Sequence, residues 1–151
     1  MVYPIMTISY VTGINTDGGA NIDLSAGPAV NVSGSTVKLI SIENVIGSNG
    51  DDTIRGDAGN NEIYGGLGDE YLVGDGGDDT YRFSRGDGTA SVENRGDTDS
   101  TDRLLFDSDI TSDQLWFTRN GDKLNVQILG STDSVDLLDW YNDADSRVDQ
   151  I

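Results

Sequence analysis

Residues 47–82 read GSNGDDTIR, GDAGNNEIY, GGLGDEYLV and GDGGDDTYR, four consecutive blocks of nine. The first position is Gly47, Gly56, Gly65 or Gly74, and the fourth is Gly50, Gly59, Gly68 or Gly77. The eighth is a large apolar or aromatic residue, Ile54, Ile63, Leu72 or Tyr81, and the sixth offers an oxygen ligand, Asp52, Asn61, Glu70 or Asp79. Such a period fixes the architecture before any local propensity is considered.

Each block divides into two parts. Six residues rich in Gly and Asp allow the left-handed backbone angles of a tight turn, and three residues around one apolar side chain make a very short strand. A block is therefore half a turn of a coil, and two blocks complete one revolution. Ile54 and Leu72 are expected to point inward from one sheet and to meet Ile63 and Tyr81 from the other, in a core one side chain wide. Stacking also sets Asp52 beside Glu70 and Asn61 beside Asp79, at the strand spacing of about 4.8 Å. Like charges that close repel unless a cation lies between them. Carboxylates supplemented by turn carbonyls suit Ca²⁺, with about six to eight oxygens at roughly 2.3–2.6 Å, better than Mg²⁺ with its retained waters.

The rest of the composition narrows the choice. With 27 Asp and Glu against nine Lys and Arg the net charge is −18, and Cys and His are absent. Disulfides, zinc–thiolate clusters, imidazole ligands and Ser-His or Cys-His relays are thereby excluded, and any metal must be held by oxygen. The charge opposes nucleic acid and anionic lipid as partners. No stretch approaches the roughly 18 apolar residues of a membrane span. Acidic composition also suits a disordered chain, but nine of the 27 acids fall within the four blocks against only Arg55 and Arg82. Part of the charge is thus a cation site.

The blocks resemble the repeats-in-toxin (RTX) calcium-binding nonapeptide G-G-x-G-x-D-x-U-x, of which haemolysin-type proteins are examples. That resemblance implies an all-β, right-handed parallel β-roll (β-solenoid) with Ca²⁺ between successive turns on the same side. It further implies that one loop supplies its second, fourth and sixth positions and the loop two blocks later its first, third and sixth. By position, one site takes Ser48, Gly50 and Asp52 with Gly65, Leu67 and Glu70; the other takes Asp57, Gly59 and Asn61 with Gly74, Gly76 and Asp79. Only the sixth-position residues ligate through side chains, the others mainly through carbonyls. Asn61 lacks charge and Glu70 is one methylene longer than Asp, so weaker binding than in perfect repeats is expected. A fifth block at residues 85–93 follows a two-residue slip. Because Ala90 holds its sixth position, it implies only a weaker third site, from Gly66, Gly68 and Glu70 with the carbonyls of Arg85 and Asp87.

Outward from the array, residues 39–47 (LISIENVIG) resemble the entry segment of RTX rolls, with Ile42 and Val45 as anchors. Residues 102–106, 115–128 and 134–141 resemble the haemolysin-type calcium-binding-related domain that follows some arrays. Leu115, Phe117, Leu124, Val126 and Ile128 alternate about Asn120 and Gly121, which predicts an antiparallel hairpin turning on those two residues. Val135, Leu137 and Trp140 predict a third strand, and residues 7–11, 21–24 and 29–32 read as short strands. A two-revolution roll needs closed ends, so the organisation expected is one elongated domain: an N-terminal β cap (1–37), the roll (38–92) and a C-terminal β cap (93–151).

The function expected is that of a non-enzymatic Ca²⁺-binding module, folding on extracellular Ca²⁺ and secreted within a larger bacterial protein by type I secretion, as the resemblance implies. The N-terminal residues lack a basic region and a continuous apolar stretch, a poor match to a cleaved signal. The last residues read as a strand under way, which suggests a fragment. The alternative is an accessory carbohydrate- or surface-binding module, with Trp116, Trp140 and Tyr141 stacking on sugars. Arg-Gly-Asp recurs at Arg55, Arg85 and Arg95, as a repeat ending in Arg before Gly-Asp would generate.

Overall fold

The computed structural model describes residues 18–25, 30–32, 35–37, 42–95 and 99–151. Its strands are β1 (Asn21–Asp23), β2 (Val30–Val32), β3 (Ser35–Val37), β4 (Asn44–Ser48), β5 (Thr53–Arg55), β6 (Glu62–Gly66) and β7 (Gly68–Val73). There follow β8 (Thr80–Phe83), β9 (Gly88–Glu93), β10 (Arg103–Phe106), β11 (Leu115–Asn120), β12 (Lys123–Ile128) and β13 (Ser134–Leu137), with one 3₁₀ turn at Ser112–Gln114. Among the described residues they form two sheets, β10-β8-β6-β4 and β11-β12-β13-β9-β7-β5-β1-β2-β3.

From β4 to β10 the chain alternates between the sheets, so each nonapeptide crosses the roll once. Successive strands within a sheet are parallel, with Val45 opposite Ile63, Ile63 opposite Tyr81 and Ile54 opposite Leu72. Each partner lies two blocks on, the revolution that the repeat predicts. Ile54, Ile63 and Tyr81 are completely buried and Leu72 is 2% exposed, which makes them the single-file core. Each such side chain removed from water contributes about 1.5–3 kcal/mol.

The solenoid continues beyond the nonapeptides by segments of other lengths. On the large sheet Ile22 lies opposite Ile54 and Leu72 opposite Val92. The first step is far longer than two blocks, and the second exceeds them by the two-residue slip expected at the fifth block. On the small sheet Leu104 lies opposite Tyr81, and Phe106 meets Phe83 edge-to-face at 6.1 Å. β13 pairs parallel with β9 and antiparallel with β12. The C-terminal hairpin is therefore fused to the roll's own sheet, and Val126, Ile128 and Val135 extend the buried row.

Two details depart from expectation. Asn120 pairs with Lys123, so the hairpin turns on Gly121 and Asp122 rather than on Asn120 and Gly121. Gly121 has φ +63°, and glycine at the first central position supplies the positive φ that matches the twist of the flanking strands. Trp140 falls outside β13 and instead packs against the core from the turns that follow. The strand expected at residues 7–11 lies outside the described residues, as do Ala29 and residues 39–41 of the entry segment; Ile42 and Val45 are buried anchors.

Candidate metal centre

The turns form two columns along the roll. One stacks residues 47–52, 65–70 and 84–90; the other stacks 56–61 and 74–79, with Asn94 and Asp102 in the turn beyond. In every nonapeptide the first and sixth positions are buried together with the eighth. Glycine at the first position has a local reason. A Cβ on Gly47 would strike the Gly65 carbonyl and Asp52 Oδ2, and one on Gly56 would strike Asn61 Oδ1 and the Gly74 carbonyl. The missing side chain lets the sixth-position oxygen of one turn approach the first-position carbonyl of the next.

The residues of both sequence-implied sets are brought onto adjacent turns in this way. In the first column the Ser48 hydroxyl donates to Asp52 Oδ1 at 2.8 Å, and Leu67 N–H donates to the Ser48 carbonyl at 3.2 Å. Gly50 N–H donates to Ser48 Oγ at 3.2 Å. In the second column Asp57 N–H donates to Asn61 Oδ1 at 2.9 Å, and Gly59 N–H donates to Asp57 Oδ1 at 2.8 Å. Gly76 N–H donates to the Asp57 carbonyl at 3.0 Å, the counterpart of the Leu67 bond. Asn61 N–H reaches the next turn's Asp79 Oδ1 at 2.9 Å.

The polar accounting of these turns is incomplete at two atoms. Among the described residues, Glu70 Oε1 and Asp79 Oδ2 are the buried side-chain oxygens without a hydrogen-bond partner. Their residues are 4% and 0% exposed. One belongs to each implied site, on its second loop in both cases. A buried carboxylate oxygen left unpaired is costly, and both groups are displaced accordingly. Burial, reinforced by the Asp52 charge, pushes Glu70 up to about 8; burial pushes Asp79 up to about 7, with the charge of Asp102 reinforcing it against the Asn61 N–H. A divalent cation supplies what both lack. The donor set therefore fits calcium: hard oxygens only, with unsatisfied carboxylates and adjacent turn carbonyls. Among the described residues no three acidic side chains converge on one point, so carbonyls must complete the shell.

Glu70 differs in geometry as well as length. A Cβ on Gly65 would meet Glu70 Cγ, whereas a Cβ on Gly74 would meet the carboxylate oxygen of Asp79. The additional methylene occupies the place beside the first-position glycine and carries the carboxylate past it. The residues of the weaker third set lie on the second and third turns of the first column. Gly68 N–H donates to the Asp87 carbonyl at 2.8 Å, and the Asp87 carboxylate receives Ser84 N–H at 2.6 Å and Tyr64 O–H at 3.0 Å. Gly66 packs on the Ser48 carbonyl with φ +99°, and Arg85 is exposed in the same turn as Asp87.

Several contributors are absent from the sequence-derived sets. Asp102 and Asp149 extend the column of sixth-position acids: Asp79 N–H donates to Asp102 Oδ1, and Asp102 N–H to Asp149 Oδ2, both at 2.9 Å. The fifth position forms a second, exposed ladder. Asp69 N–H donates to Asp51 Oδ1 and Asp78 N–H to Asn60 Oδ1, each at 2.9 Å, and Thr101 N–H continues it to Asp78 Oδ1 at 2.8 Å. The fifth position is Asp or Asn in all four blocks, a signal as regular as the sixth. Of the Arg-Gly-Asp triplets, Arg55 is bound to Asp75 by two hydrogen bonds and Asp87 is 3% exposed, so neither is displayed for a receptor. The third includes Gly96 and Asp97, outside the described residues.

Comparison with known families agrees with this geometry. Residues 46–81 match the model of the RTX calcium-binding nonapeptide repeat in four copies, one residue out of phase with the blocks as numbered above. The parallel roll, its two columns of stacked turns with buried sixth-position oxygens and this match together identify residues 46–81 as an RTX repeat array, a family that binds Ca²⁺.

Proposed function

We propose that the chain is a non-catalytic module that folds on binding Ca²⁺ within a protein exported by type I secretion. The observation that carries this reading is the pair of buried, unpartnered oxygens, Glu70 Oε1 and Asp79 Oδ2. At low free Ca²⁺ these acids oppose stacking of the turns. When bound, Ca²⁺ supplies positive charge between them and couples its binding free energy to folding. At free Ca²⁺ one hundred times the dissociation constant, each site adds about 2.7 kcal/mol. Extracellular calcium sites work at roughly 10⁻⁴–10⁻³ M, which suits a chain kept loose before export and locked after it. RTX arrays are a feature of secreted proteins, which supports this location. No helix among the described residues is long and apolar enough to cross a membrane.

The absence of a catalytic assignment rests on where the perturbed acids lie. Glu70 and Asp79 are inside the roll and do not line the open groove of about 420 Å³ formed by Leu24, Ser25, Asp57, Ala58, Asp75 and Gly76. Ellipticity followed from chelator into millimolar Ca²⁺, with Mg²⁺ as control, tests the proposal. A cooperative gain of β signal specific to Ca²⁺ is expected, and a spectrum indifferent to chelator would overturn it.

One observation favours a second role, an accessory contact with carbohydrate or another surface. Trp116 is 57% and Phe117 48% exposed on β11, an edge strand of the large sheet. Tyr141 is less available, because the Arg119 guanidinium covers its ring at 4.2 Å. Quenching of tryptophan fluorescence by oligosaccharides, abolished in Trp116→Ala, is the corresponding test.

A further inference from the structure

The sixth-position acids of the second column stand in one line, yet they end in opposite states. Asp79 has an unpartnered oxygen, whereas Asp102, 2% exposed in the next turn, has both oxygens hydrogen-bonded. Its Oδ1 receives Asp79 N–H at 2.9 Å; its Oδ2 receives Asn94 Nδ2–H at 2.8 Å and Ser100 O–H at 3.2 Å. Asn94 is 1% exposed, and its orientation is fixed at both ends. Nδ2 also donates to the Arg147 carbonyl at 3.1 Å, which demands a donor, and Oδ1 accepts from Tyr81 O–H at 3.0 Å.

The position of Asn94 is as telling as its bonds. Val73 pairs with Glu93, so Asn94 follows β9 as Gly74 follows β7. It thus holds the first position of its turn, where all four nonapeptides carry glycine. Beside Gly47 and Gly56 a sixth-position side-chain oxygen and a carbonyl of the next turn approach each other with no side chain between, and beside Gly74 the Asp79 carboxylate takes the same place. Beside Asp102 an uncharged amide fills that position and donates to the acid.

We propose that Asn94 terminates the second column of calcium sites: its amide takes the place of a cation at Asp102, so that this turn closes without metal and the last ion of the column is the one at Asp79. The inference rests on the calcium reading above and adds the residue that limits the number of ions. Asn94→Asp exchanges the donor for a carboxylate of nearly the same shape, and Asn94→Gly restores the glycine of the repeat. Ion number at saturating Ca²⁺ is measured by equilibrium dialysis of the full chain, alongside melting temperature in Ca²⁺ and in chelator. Each variant is expected to bind one ion more than the parent, with a melting temperature that falls in chelator and recovers in Ca²⁺. If Asn94→Asp does not fold, the ion count of Asn94→Gly decides. A parent that binds no Ca²⁺ overturns the calcium reading itself. A parent that binds Ca²⁺, with variants that bind no more and melt equally lower in both conditions, overturns only the role of Asn94.

Discussion

Asn61 and Asp79 are joined across one revolution by a 2.9 Å hydrogen bond from the Asn61 N–H to Asp79 Oδ1, while Asp79 Oδ2 is buried without a partner. One oxygen therefore fastens the stack and the other destabilises it until a cation arrives. The two roles can be separated. Asp79→Asn retains an oxygen for the Asn61 bond but removes the buried charge. It is expected to raise the melting temperature in chelator and to lower it in Ca²⁺, with the two melting curves crossing relative to the parent. A fall of equal size in both conditions would place Asp79 outside the metal centre.

Glu70 offers the opposite change. Shortening it to Asp brings the carboxylate back beside Gly65, as Asp79 lies beside Gly74. Glu70→Asp is expected to tighten the first site several-fold, read as a lower midpoint in a calorimetric Ca²⁺ titration. Unchanged or weaker binding would show that the additional methylene does not displace the ligand.

The pH dependence follows from the direction of the two shifts. Glu70 is raised from 4.5 to about 8 and Asp79 from 3.8 to about 7. In the metal-free protein the folded state keeps protons that the unfolded chain has lost. The stabilisation is fully present below the unfolded values and is lost as pH rises towards 7 and 8, by up to about 1.4 kcal/mol per pH unit for each group. Ca²⁺ must displace these protons. Binding at pH 6–7 is therefore expected to release them, giving a binding enthalpy that varies with the ionisation heat of the buffer. An enthalpy identical in PIPES and imidazole, which differ in ionisation heat and do not precipitate Ca²⁺, would contradict this.

Glycine at the first position is required by close approach, since a Cβ on Gly47 would strike two oxygens while one on Gly18 would meet nothing within 4 Å. Gly47→Ala is expected to lose about 1–3 kcal/mol and most of the Ca²⁺ response. Gly18→Ala is expected to stay within about 0.5 kcal/mol of the parent in chemical denaturation.

The exposed ladder at the fifth position should act without metal. Asn60→Ala leaves Asp78 N–H without its acceptor and is expected to cost about 1 kcal/mol. Denaturation midpoints should fall equally in Ca²⁺ and in chelator. A loss confined to Ca²⁺ would make Asn60 part of the ion's support.

The repeat made the centre of the fold legible because period and burial coincide there. Ile54, Leu72, Ile63 and Tyr81 are predicted core and are core, each facing its partner two blocks away. The outer turns follow the same geometry through longer and unequal steps, from Ile22 to Ile54, from Leu72 to Val92 and from Tyr81 to Leu104. An irregular insertion hides a strand from periodicity although it leaves stacking intact. Asp102 and Asp149 carry no repeat signal for that reason: Asp102 becomes a sixth-position acid only once β10 lies beside β8, and Asp149 only once Gln150 bridges to Arg103. Asp51, Asn60, Asp69 and Asp78 were visible as a fifth regular position, but an exposed acid in a turn resembles ordinary solvated surface. Asn94 could not be read at all, since its meaning comes from Tyr81, Asp102 and Arg147 meeting around it.

The central claim is that cations lie between turns one revolution apart. A crystal structure grown in millimolar Ca²⁺, with anomalous difference density, tests it most directly. The account predicts one peak between Asp52 and Glu70 and one between Asn61 and Asp79, each ringed by turn carbonyls at about 2.3–2.6 Å, and none between Asp79 and Asp102. An intact roll with no peak at the first two positions would contradict it.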